Sequence, residues 1–115
     1  MNFSKLKAIV IKSRKDFENK KINKETLKEL YLNYNKIEEI DTFLDEAEIL
    51  FPKLNCGLAS LYLKYKLKKG VIINGKYKEN NHTFLLMDNI IIDITSDQYD
   101  GPKIYIGEIK HPWKL

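Results

Sequence analysis

The chain is 115 residues long, 43% hydrophobic and 31% charged, with a formal net charge of +4. That is ordinary globular composition at the size of one domain, and it argues against disorder. The longest apolar runs, Ala8-Ile9-Val10-Ile11 and Ile90-Ile91-Ile92, fall far short of the roughly 20 residues that span a bilayer.

Lys5 and Lys7 precede a short apolar stretch that Lys12, Arg14 and Lys15 end at once, and no small-residue cleavage site follows. A signal peptide is therefore not expected, and the expected location is a reducing cytoplasm. The single cysteine, Cys56, excludes an internal disulfide framework and a multi-cysteine zinc site. The positive charge is nearly all lysine, with Arg14 the only arginine. Base readout and phosphate forks favour arginine, so the composition argues against nucleic acid as a partner.

The first half reads as helical. Phe3, Leu6, Ile9, Val10 and Phe17 predict a helix over about 4–19 behind a Ser4 cap. Asn23 caps a second, whose stripe is Leu27, Leu30, Tyr31 and Tyr34. Asp41 or Thr42 starts a third, carrying Phe43, Leu44, Ala47 and Leu50 and ended by Pro52. A fourth runs from about Cys56 to Lys68, with Leu58, Leu61, Tyr62 and Tyr65 inward, and Gly70 terminates it.

Beyond Gly70 the pattern changes to strands. Val71-Ile72-Ile73 and Lys76-Tyr77 predict a short hairpin around Asn74-Gly75. His82–Met87 and Ile90–Thr95 predict two strands joined at Asp88-Asn89, and 103–106 a further one after Gly101-Pro102. Helices followed by an antiparallel sheet make an α+β domain, with a helical part over 1–52 and the cysteine helix plus sheet over 53–115.

Three residues can be assembled into thiolate chemistry, which needs an anionic sulfur, a proton carrier and a group to orient that carrier. Cys56 in the first turn of a helix faces unpaired N–H groups and the positive end of the helix dipole, which lowers a thiol pKa. Its own backbone N–H is one candidate oxyanion donor. Gly57 leaves room for an approaching carbonyl. The other two groups come from the hairpin. With a two-residue turn at Asp88-Asn89, paired residue numbers sum to 177, so Phe84 opposes Asp93 and His82 opposes Thr95. His82 and Asp93 are then same-face diagonal neighbours, roughly 7–8 Å apart at Cα. A three-residue loop would flip one strand and break this pairing. Asp93 lies inside Ile90-Ile91-Ile92-Asp93-Ile94, and a carboxylate there needs a partner.

The remaining candidates are weaker. Asp97 shares the parity of Asp93 and is the backup acid. Gln98 is a candidate oxyanion support or a residue bonded within its own loop, and Asn55 is a weaker oxyanion candidate with the helix cap as its simpler reading. Ser60 reads as packing or capping. His111 reads as a surface residue and is the alternative base. A Cys56, His82, Asp93 metal site has too few soft ligands to be preferred, so neither metal nor cofactor is expected.

Cys-Gly at a helix start, a strand with His and an aromatic, and then Ile-Ile-Asp-Ile-Thr-Ser-Asp-Gln-Tyr resemble the transglutaminase-like branch of the papain-like superfamily. The segment is similar to the small thiol peptidases that remove leader segments in lasso-peptide maturation. The likeness covers about Leu54–Gly107. It implies Cys56 as nucleophile, His82 as general acid/base and Asp93 as its orienting acid, on a helix-then-sheet core. Phe84 fits the aromatic position two residues after the histidine. The implied activity is hydrolysis or acyl transfer on peptide or protein amides. The competing expectation is a catalytically silent domain of the same fold that binds another protein.

Overall fold

A computed structural model describes residues 2–115. Four helices come first: α1 (Phe3–Glu18), α2 (Lys24–Leu32), α3 (Ile40–Leu50) and α4 (Cys56–Leu67). Five strands follow: β1 (Val71–Tyr77), β2 (Asn80–Met87), β3 (Ile90–Asp93), β4 (Tyr105–Glu108) and β5 (Trp113–Lys114). The sheet is antiparallel, in the order β4-β3-β2-β1-β5. An α+β arrangement of helices and then antiparallel strands is thus what the chain adopts.

α4 is the central element. Leu58, Ala59, Ser60, Leu61, Tyr62, Leu63 and Leu67 are all buried, so the helix is apolar around most of its circumference, as a helix enclosed on several sides must be. It packs on β2, α1 and α2. Leu85, Met87, Ile92 and Ile94 meet it from the sheet, and Leu6, Val10 and Phe17 from α1. A smaller cluster of Tyr77, Phe84, Ile91 and Trp113 covers part of the opposite sheet face. Burial on both faces explains why the β2 and β3 sequences are apolar without alternation.

The only arginine is internal. Arg14, 5% exposed, donates from Nη1 and Nη2 to the two oxygens of Asp97 at 2.8 and 2.9 Å, and from Nη1 to the Ile94 carbonyl at 2.8 Å. This bidentate fork ties α1 to the segment after β3.

Several local expectations are corrected. Asn2, not Ser4, caps α1, accepting from the Lys5 N–H at 2.8 Å. α3 starts at Ile40 behind Glu39, without a side-chain cap. Tyr65 is half-exposed beside Lys66 rather than inward. The last long strand is Tyr105–Glu108 rather than 103–106, and β5 was not expected. Asn74-Gly75 is not a turn: it lies within β1, where Asn74 pairs with Thr83 and Gly75 with His82. The chain reverses three residues later, at Lys78, which takes the positive φ that a tight turn demands. Gly75 answers to proximity instead, because a Cβ there would fall on the carbonyl oxygen of Lys114 and crowd the Phe84 ring. The Asp88-Asn89 turn is as expected. Both residues have positive φ, and Met87 pairs with Ile90 and Leu86 with Ile91.

Gly75→Ala is expected to push β5 off β1 and cost about 1–3 kcal/mol, the usual range for overpacking. Chemical denaturation of the two proteins measures it, and an unchanged midpoint would contradict the close approach of β5.

Candidate active site

The cysteine helix begins as it does because Asn55 is engaged elsewhere. Asn55 is 2% exposed, and its Nδ2 donates to the carbonyls of Ala47 and Lys53, both at 2.8 Å. Both amide hydrogens are therefore spent on α3 and the loop that follows it, away from the oxyanion support expected of Asn55. It also makes no side-chain cap. The first helical bond at this end runs from the Ala59 N–H to the Asn55 carbonyl. The N–H groups of Cys56, Gly57 and Leu58 thus lie at the sulfur-bearing end without a capping side chain. A Cβ on Gly57 would make only ordinary contact with the Tyr31 ring, so packing does not demand a glycine there. Its effect is to widen the approach to sulfur. Ser60 caps nothing external and donates to the Cys56 carbonyl at 2.7 Å.

His82 comes from β2, opposite Gly75, and is 2% exposed. Its ring lies among Tyr77, Phe84 and Tyr99, with centroid distances of 6.1, 6.1 and 5.6 Å. Nε2 is 2.7 Å from Asp93 Oδ2. Asp93, also 2% exposed, is where the register arithmetic put it, one diagonal step from His82 across the β2–β3 pair. Its Oδ1 accepts from the Thr95 backbone N–H at 2.9 Å, and its Oδ2 from the indole Nε1–H of Trp113 at 2.8 Å. With a carboxylate accepting at Nε2, the neutral ring carries its proton on that nitrogen and presents Nδ1 as a lone pair. Nδ1 is buried and has no aligned hydrogen-bond partner.

The group beside that lone pair is Cys56, which shares a cleft with His82, Thr83 and Asn74. Burial pushes the thiol up, but the His82 imidazole and the Thr83 backbone beside it outweigh this, so Cys56 titrates below its ordinary value of 9.0. For His82, burial acts downward. The bond to Asp93 and the proximity of the thiol act upward and prevail, raising the imidazole from 6.5 to about 9. Each shift favours the charged form of its own group, so around neutral pH the pair is biased toward thiolate and imidazolium. The two groups influence each other without an aligned hydrogen bond, a geometry that often tightens only when substrate binds.

The cleft continues past the thiol into a space of about 210 Å³ lined by Tyr31, Tyr34, Phe43 and Leu54. Asn74 closes one side, accepting from Thr83 Oγ1 at 2.9 Å and donating to the Tyr34 hydroxyl at 3.4 Å. The space is of a size that suits an amino-acid side chain.

The other candidates lie apart. Asp97 is held by Arg14, so it is Asp93 and not the backup acid that reaches His82. The fork that captures Asp97 comes from α1, out of reach of parity reasoning. Gln98 is absent from the cleft lining, and its Nε2 is buried without a partner. His111 is exposed. Among the described residues, no group of three or more His, Cys, Asp or Glu side chains could hold a metal ion. Sequence reasoning missed Trp113, Thr95 and Asn74. For Trp113 the available signal was the buried carboxylate itself, which needs more donors than one imidazole supplies. No protein-family model, curated protein or solved structure matches the chain.

Two outcomes test this wiring. In Asp93→Asn the His82 titration, followed by its C2–H proton resonance, should fall from about 9, because the carboxylate that raises it most is removed while burial still acts downward. Trp113→Phe should cost about 1–3 kcal/mol in denaturant unfolding, the penalty for taking one donor from a buried acceptor.

Proposed function

We propose that the chain is a thiol hydrolase or acyltransferase acting on peptide or protein amides, with Cys56 as nucleophile, His82 as general acid and base, and Asp93 as its orienting acid. We read the fold as a small papain-like core of the transglutaminase-like branch. One observation carries the proposal: the imidazole is fixed by Asp93 at Nε2, while its only free nitrogen, buried, is left for a cysteine at an uncapped helix start.

In this reading the Cys56 thiolate attacks the amide carbon, and the carbonyl π pair moves to oxygen. The oxyanion meets the free N–H groups of the first turn of α4. Collapse breaks the C–N bond, and the imidazolium of His82 gives its Nδ1 proton to the departing amine. This leaves a thioester and a neutral imidazole. Water, or an acceptor amine in a transferase, then loses a proton to Nδ1 as it adds to the thioester. Expulsion of the thiolate restores the starting pair. Every proton moved belongs to His82 or the reactants, so the cycle closes without a metal or cofactor.

The pH dependence follows from the direction of the shifts. Reactivity rises as Cys56 ionises below its ordinary value, and acylation falls above about 9, where His82 loses the proton the leaving amine requires. At pH 6.5 an ordinary thiol is roughly 1% thiolate. Cys56 should therefore be alkylated by iodoacetamide faster than free cysteine at that pH, the gain being moderated by the lower nucleophilicity of a more acidic thiol. His82→Ala should return the thiol to an ordinary titration. An inert Cys56, or identical profiles in the two proteins, would sink the enzyme reading in favour of a protein-binding domain.

A further inference from the structure

Beside the thiol cleft lies a second depression. Tyr34 lines both this cleft and a wider groove of about 420 Å³ between α2 and α4. The groove has an apolar floor of Leu30, Leu61 and Tyr65, and its rim carries Lys64, Lys68 and Lys69. Lys69 is paired with Asp88 at 2.6 Å. Lys64 and Lys68 have no ion-pair partner among the described residues.

Lysines in a last helical turn complement the helix dipole, and that accounts for their presence at this end of α4. It does not account for what faces them. Among the described residues only Lys12, Lys24, Lys28, Lys69 and Lys114 are paired with acids, so the distinguishing feature here is the lining of the groove. Across this groove α2 and its end offer Leu30, Asn33 and Tyr34, and no Asp or Glu lines the groove or the thiol cleft. The exposed rings of Tyr34 and Tyr65, 43% and 51% accessible, flank the two unmatched cations. An apolar trough with positive charge and no facing acid, sharing Tyr34 with the neutral cleft at the thiol, is complementary to a chain that is apolar at one point and acidic at the next.

We propose that this groove extends the active-site cleft and takes the acidic stretch of a peptide substrate whose apolar residue fills the cleft lined by Tyr31, Tyr34 and Phe43. The groove rests on its own charge and shape, and the thiol-enzyme reading enters only in placing the scissile amide at Cys56. The carboxylates of the bound segment lie against Lys64 and Lys68. The chain then passes Tyr34, and its apolar side chain enters the 210 Å³ space beside the sulfur.

Binding is measured by fluorescence anisotropy on Cys56→Ala protein, so that it does not depend on thiol reactivity. The probes are fluorescein-labelled Leu-Phe-Gly-Glu-Glu-Glu, its Gln-Gln-Gln counterpart and a Gly-Gly-Gly-Glu-Glu-Glu peptide. The acidic peptide should bind about tenfold tighter than the glutamine peptide, as two partly shielded ion pairs allow. That preference should shrink to about twofold or less in Lys64→Glu/Lys68→Glu and at about 0.5 M salt. Removing Leu-Phe should also weaken binding about tenfold. The control Lys21→Glu/Lys103→Glu makes the same change in net charge at exposed positions outside the groove and should keep the preference. Equal affinity for the acidic and glutamine peptides, or an equal loss in the control, overturns the proposal. Selective binding by a protein whose wild-type Cys56 alkylates like an ordinary thiol would keep the groove and reject the enzyme. A reactive thiol without acidic preference would do the reverse.

Discussion

The fold is organised around the carboxylate of Asp93. A charge held in an apolar interior loses several kcal/mol of solvation and survives only if its oxygens are used as acceptors. Asp93 is served by three N–H donors from three parts of the chain: the imidazole of β2, the indole of β5 and the backbone just after β3. Each donor fixes something else. The imidazole bond sets the His82 tautomer. The indole bond draws the C-terminal segment against β1, where Trp113 also stacks on Tyr105 at 4.0 Å. The backbone bond turns the chain from β3 into the 3₁₀ turn at Ser96–Tyr99. One buried charge thereby links the sheet edges to the candidate site.

A second carboxylate shows how selective this arrangement is. Asp97, four residues on, is clasped by Arg14, with the guanidinium also over the Phe51 ring at 4.7 Å. The two acids serve different purposes because their partners differ. A guanidinium never gives up its proton in a protein, so Asp97 is locked into a structural fork. An imidazole can exchange its proton, so Asp93 bears on a group that is able to react. The lone arginine is therefore accounted for by internal architecture, with no nucleic-acid contact required.

The sequence was most readable where a local rule had no rival. The Asp88-Asn89 turn tolerates positive φ at both residues, which set the register and put His82 and Asp93 on one diagonal. The start of α4 at Cys56 followed from the apolar run behind it. The unreadable features came from tertiary contacts. Asn55 has the composition of a helix cap, yet the carbonyls of Ala47 and Lys53 compete for its amide and win. Trp113 pairs with a residue 20 positions earlier through a two-residue strand too short to leave a pattern. Asp97 could not be told from Asp93 by parity, since only the long-range reach of Arg14 separates them.

The largest error of local reading bears directly on the chemistry. Asn74-Gly75 has the composition of a tight turn, and a turn there would have ended β1 and left His82 without a partner strand. The strand instead runs through to Tyr77, and both residues are used for proximity. Gly75 lets the backbone of β5 lie against β1 and carries no side chain opposite the imidazole. Asn74 reaches across the cleft mouth to Thr83 and Tyr34. A dipeptide chosen by turn geometry would have no reason to place a bridging amide there. A dipeptide chosen by the cleft needs a small residue under β5 and a two-way hydrogen-bonding group beside the thiol, which is the pair the chain carries.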